Sequence, residues 1–153
     1  MSLDNDILLL SRIPIFQFLN TEQVRLLAFS AIHRELRADE VLFREGESAA
    51  SGFVVASGEI VLSRGRKKEI VARCEPGSLI GESALFVTTK RPATARASRL
   101  SDVMEINRSL VTRMLNEYPQ LAVRMRAELA GRLAATISDL GKVSNALAKK
   151  PAS

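Results

Sequence analysis

Residues Ile80–Ala97 read IGESALFVTTKRPATARA, and this stretch decides the fold. A glycine is followed at once by an acid, then a small apolar run, then Lys-Arg-Pro-Ala-Thr. The apolar residues suit an interior, yet Glu82 and Arg91 stand among them. Gly81 permits close backbone approach, and ESAL can make one helical turn whose first N–H groups, near Ser83 and Ala84, lack intrahelical partners. Such a turn is a ready anion site. An arginine returning from the far end of the loop would complete it, because a guanidinium matches phosphate oxygens. The Glu82 carboxylate is then left to accept a hydrogen bond from a hydroxyl. An anion beside a hydroxyl is the chemistry of a ribose phosphate. A purely structural Arg–Glu pair is the competing reading.

The flanking texture places this stretch in a β region. From 40 to 106 short β-branched runs (EVLFRE, GFVVAS, EIVLSR, KEIVARC, TARAS, DVMEI) are cut by glycines. Gly46, Gly58, Gly65 and Gly77 fall between runs, where tight turns call for positive φ. Many short strands at close spacing predict an antiparallel sandwich or barrel. Residues 3–12 and 20–31 read as helices, the second capped by Asn20 or Thr21, with IPIFQFL as a packed corner between them. After 106 the pattern is helical again and is divided by Pro119. Leu129, Leu133, Thr136, Leu140, Val143 and Leu147 alternate at steps of four and three, which predicts a heptad seam and a parallel homodimer through residues 119–147. The fold class is therefore α+β, mainly β: an antiparallel β jelly-roll barrel with N-terminal helices and a long C-terminal dimerisation helix. It forms one domain over 1–147 (helices to 36, the β-roll at 40–106, helices at 107–147), and 148–153 fray.

Composition bounds the function. The 153 residues carry a formal charge of +5, from 22 basic and 17 acidic residues, a mild excess that reads as a solvated surface. One cysteine, Cys74, rules out an internal disulfide and suits a reducing cytoplasm. No apolar run is long enough to span a membrane, and the first residues lack a secretory pattern. With a single histidine, His33, beside a predicted helix, neither a histidine-rich metal site nor a Ser-His-Asp set can be assembled, so no catalysis and no metal are expected. Cys74 alone cannot hold an iron–sulfur cluster.

The string GESALF, six residues, then RPAT resembles the phosphate-binding cassette of cyclic nucleotide-binding domains. IPIFQFL, VLFREG, FVVASGEIVL and PGSLIGE extend the likeness over nearly the whole chain. The tail AELAGRLAATISDLGKV is similar to the dimer helix of the bacterial catabolite activator. The resemblance implies that Glu82 binds the ribose 2′-hydroxyl and Arg91 the cyclic phosphate. It implies donors at the N–H groups of Ser83 and Ala84 after Gly81, with Pro92 and Ala93 on the returning segment. Val71 and Ala72 would lie on the wall beside the base, and Thr136 would read the base from the dimer helix.

Two positions depart from the pattern. Pro92 offers neither amide nor hydroxyl where many relatives have Ser, Thr or Ala, a loss of about 1.5–3 kcal/mol. Ile137 stands where the catabolite activator has a second hydroxyl. The missing hydroxyl at Pro92 also removes a feature used by guanine-preferring relatives, so the resemblance implies cAMP rather than cGMP as ligand. The expected function is a cyclic nucleotide sensor relaying to the C-terminal helices, with no cofactor besides the ligand. A ligand-free or altered-ligand interaction domain is the alternative. No segment resembles a helix-turn-helix, so the expectation is a stand-alone sensor, or the sensor part of a regulator, with no DNA-binding segment.

Overall fold

The computed structural model describes residues 3–128, 130 and 131. The chain opens with helix α1 (Leu3–Ser11), a 3₁₀ turn (Pro14–Phe16) and helix α2 (Thr21–Ser30). Asn20 caps α2 through a full capping box: its side chain accepts from the Gln23 N–H, and the Gln23 side chain accepts from the Asn20 N–H. Pro14 begins the intervening turn, where its missing N–H costs nothing, and Ile13, Ile15 and Phe16 of the predicted corner are buried.

Ten strands follow or interleave: β1 (Ile32–Leu36), β2 (Val41–Phe43), β3 (Ser48–Ala49), β4 (Ser51–Ser57), β5 (Ile60–Arg64), β6 (Glu69–Cys74), β7 (Leu79–Ile80), β8 (Thr89–Lys90), β9 (Thr94–Ala97) and β10 (Ser101–Asn107). Helix α3 (Arg108–Glu117) comes next, Tyr118 breaks the helical path, and a further helix begins at 119, as Pro119 predicts. Gly46, Gly58, Gly65 and Gly77 all have positive φ.

The strands form two four-stranded antiparallel sheets, β1-β10-β4-β7 and β2-β9-β5-β6, and a two-stranded ribbon, β3-β8. The expected barrel is thus not closed. The sheets face each other as an open sandwich of jelly-roll type, because hydrogen bonding stops at the edges β7 and β6 rather than passing from one sheet to the other. Leu36, Phe53, Val55 and Val103 from the first sheet meet Phe43, Ile60, Ala95 and Ala97 from the second in one core. Strand alternation turns Val54, Met104 and Ile106 to the opposite face of the first sheet. There they pack on Leu10, Ile15, Phe16, Leu27, Val111, Met114 and Met125 of the helices.

Two expectations change. Residues 32–36 belong to the first sheet, paired along β10, and not to an N-terminal helical segment. His33 therefore lies on a strand, where its Nε2 is 2.7 Å from the buried carboxylate of Asp6 on α1. Cys74, on β6, is half-buried, and burial raises its thiol pKa. The heptad seam from Leu129 to Leu147 with Thr136 and Ile137, and the frayed tail, lie outside the described residues, and the dimer helix is not shown.

Candidate functional site

The opening stretch folds around one hollow. Gly81 takes a left-handed φ of 77° and starts a 3₁₀ turn, Glu82–Leu85. Glycine suits this position: its φ is left-handed, and a Cβ would lie 2.6 Å from Nη1 of Arg91 and push the guanidinium aside. Gly81, Glu82, Ser83 and Ala84 line a cavity of about 310 Å³ together with Ala49, Thr89, Lys90, Arg91 and Pro92. Residues 82 and 91 thus share a hollow.

Arg91 is the centre of the site. It is only 6% exposed, and its backbone is tied to the loop at 46–47 by N–H to the Glu47 carbonyl (2.8 Å) and by the Gly46 N–H to its own carbonyl (2.9 Å). Its guanidinium lies 4.3 Å from the ring centre of Phe43 and 5.4 Å from that of Phe53, within cation–π range of both. Nη2 donates to Ser51 Oγ at 3.4 Å. Nη1 is buried and has no hydrogen-bond partner among the described residues. Burial lowers the arginine's pKa, and the charges of Glu105 and Glu47 oppose that shift. A cation out of water with a donor nitrogen unused beside a hollow is what an anion site offers.

The other expected residues divide. The Ser83 N–H precedes the first closed bond of the turn and remains outside its ladder. The Ala84 N–H instead donates to the Gly81 carbonyl at 3.1 Å, because the 3₁₀ turn closes at its third residue. Ala93 is buried and does not line the hollow, while Pro92 is exposed at its rim, its carbonyl accepting from Arg64 Nε at 2.9 Å. On β6, Ala72 pairs with Leu62, whereas the register skips Val71, which is 48% exposed as the extra residue of a bulge. Thr136 lies outside the described residues.

Sequence reasoning missed Ser51 and Glu105. Ser51 is 3% exposed, and its hydroxyl donates to Glu105 Oε2 at 2.7 Å. A signal was present: Glu105 is an acid set between the apolar Met104 and Ile106.

The cassette also touches the helices. Leu85, Phe86 and Val87 line a mostly apolar cavity of about 470 Å³ with Thr112, Leu115 and Asn116 of α3 and with Arg126 and Ala130.

The model of the cyclic nucleotide-binding domain matches residues 33–118, over half of the chain, and the chain belongs to that family. It is similar to a solved cyclic nucleotide-binding-like protein from Brucella abortus, with 37% identity and a TM-score of 0.68 over 74% of this chain and 99% of that one. It is also similar to the N-terminal domain of a transcriptional regulator from Streptomyces coelicolor, with 29% identity and a TM-score of 0.77 over 86% and 94%. Among curated proteins it resembles the lysophospholipase NTE1 of Chaetomium globosum, 27% identical over 108 residues. That match covers 69% of this chain and 7% of the relative, so the chain spans a small fraction of that protein's length. Among the described residues no helix is long and apolar enough to cross a membrane.

Proposed function

We propose that this domain is a cyclic nucleotide receptor, with cAMP as its preferred ligand, and that it binds without turning the ligand over. The observation that carries the reading is Arg91 Nη1: a buried, unpartnered donor against Gly81, in the same hollow as Glu82. In this reading Nη1 and the Ser83 N–H hold the cyclic phosphate, and Glu82 accepts from the ribose 2′-hydroxyl. Pro92 leaves no hydroxyl at the rim for a guanine contact, which favours adenine. The Ala84 amide contributes only if the turn opens its bond to Gly81.

The relay runs through the apolar contact between the cassette and the helices. Closing Glu82–Leu85 on a phosphate moves Leu85, Phe86 and Val87, which pack beside α3 and Arg126. The shift is limited to the ligand's preference for the closed arrangement. Dimerisation through 119–147 would carry the signal to a second copy.

Calorimetric titration with cAMP and cGMP tests the reading. cAMP should bind more tightly than cGMP, and Arg91→Ala should weaken it about a hundredfold, the loss of charge-assisted hydrogen bonds from a dry site. Binding unchanged by Arg91→Ala would remove the site from this hollow. Nucleotide recovered as AMP after incubation with Mg²⁺ would show an enzyme instead.

A further inference from the structure

We propose that Glu105 is a built-in counter-charge for Arg91, a positioning residue that stabilises the empty site and sets how strongly the site attracts an anion. The inference rests on the binding reading above and deepens it.

A chain of charges and rings crosses the first sheet. Arg91 Nη2 donates to Ser51 Oγ at 3.4 Å, and Ser51 Oγ donates to Glu105 Oε2 at 2.7 Å. The other carboxylate oxygen of Glu105 lies 3.8 Å from Arg34 Nη1 at the surface. Both cations lie near the Phe53 ring, with the Arg34 guanidinium 5.8 Å and the Arg91 guanidinium 5.4 Å from its centre. Strand pairing fixes this arrangement, since Glu105 of β10 is registered against Phe53 of β4 and Ile32 of β1.

The spacing is informative. Glu105 does not contact the guanidinium directly; one hydroxyl separates them. Its charge therefore compensates the buried cation while Nη1, on the Gly81 side, stays available. A direct ion pair would instead occupy the donors that an incoming anion needs. The carboxylate also repels that anion, so affinity is set by a balance. Arg34 weakens the carboxylate's field from outside, which places a surface residue in control of a buried site.

Charge-changing variants with opposite expected signs test the proposal. Glu105→Gln keeps an acceptor for Ser51 and removes the charge, so cAMP should bind roughly tenfold tighter while the ligand-free protein melts at lower temperature. Arg34→Gln leaves the carboxylate unscreened, so cAMP should bind roughly two- to threefold more weakly. A residue with a merely structural role would not move affinity in both directions. Equal or weaker binding by Glu105→Gln overturns the proposal; if that variant fails to fold, equal or tighter binding by Arg34→Gln overturns it. A second arm uses inorganic phosphate and the melting temperature of the whole chain. Phosphate should raise that temperature more for Glu105→Gln than for the unmodified protein, and Arg91→Ala should abolish the difference. Should the unmodified protein bind no cyclic nucleotide, the receptor reading fails, and this arm still decides the counter-charge: a larger phosphate effect supports it and equal effects overturn it.

Discussion

At the scale of single residues, Gly81 is the most constrained position in the site. Its φ of 77° and the 2.6 Å separation of a would-be Cβ from Arg91 Nη1 act together. Gly81→Ala should cost about 1–2 kcal/mol from the left-handed backbone and should also displace the guanidinium. Urea denaturation and cAMP titration of one variant read both losses; full affinity in a destabilised variant would separate the turn from the site. Glu59 offers a test away from the pocket. The Ser98 hydroxyl, 2.6 Å from its Oε1, is the main cause of its lowered pKa, and Arg73 and Arg99 add to it against desolvation. A depressed carboxylate stabilises the fold above its unfolded pKa, and that contribution disappears as pH falls through the folded value. Ser98→Ala should therefore bring the Glu59 titration, followed by NMR, back up towards the ordinary range and reduce the loss of stability on acidification.

Among the elements, α2 is held at its start by reciprocal side-chain caps. Asn20→Ala removes one partner of the Gln23 N–H and should cost about 1 kcal/mol in chemical denaturation, while Asn20→Ser should recover most of it. The legibility of the chain also divides by element. The long strands announced themselves through β-branched runs and glycine punctuation, and the cassette through two charges in an apolar run. The pairs 48–49, 79–80 and 89–90 did not, because two residues have no period to read. IHREL escaped for another reason: with a histidine, an arginine and a glutamate among its five residues, and with the edge of the first sheet exposing four of them at least in part, it lacks an apolar face. Ser51 was invisible because its role depends on β10, some 50 residues away in sequence.

For the whole molecule, the first sheet is shared between two cores, one towards the second sheet and one towards the helices. The cassette joins both, since Leu85 belongs to the helical core while Ile80, just before the turn, belongs to the other. Cyclic nucleotide should accordingly slow amide exchange in 82–91 and also change it in 108–128. Unchanged exchange in the second stretch would confine the ligand's effect to the pocket. The open sandwich was foreseeable only as a class, because a barrel and a sandwich place the same alternation on the same strands and differ in whether their edges meet.

The lone imidazole of the chain clips α1 to β1 through Asp6, with nothing else charged in that contact's direct pairing. Buried Leu10 holds the same helix by apolar packing, so the clip adds to that anchorage without involving the hydrogen bonds of either sheet. Removing the clip by His33→Ala should raise proteolysis within 3–11 modestly while the melting of the sandwich stays nearly unchanged, so the first helix and the sheets would loosen at different thresholds.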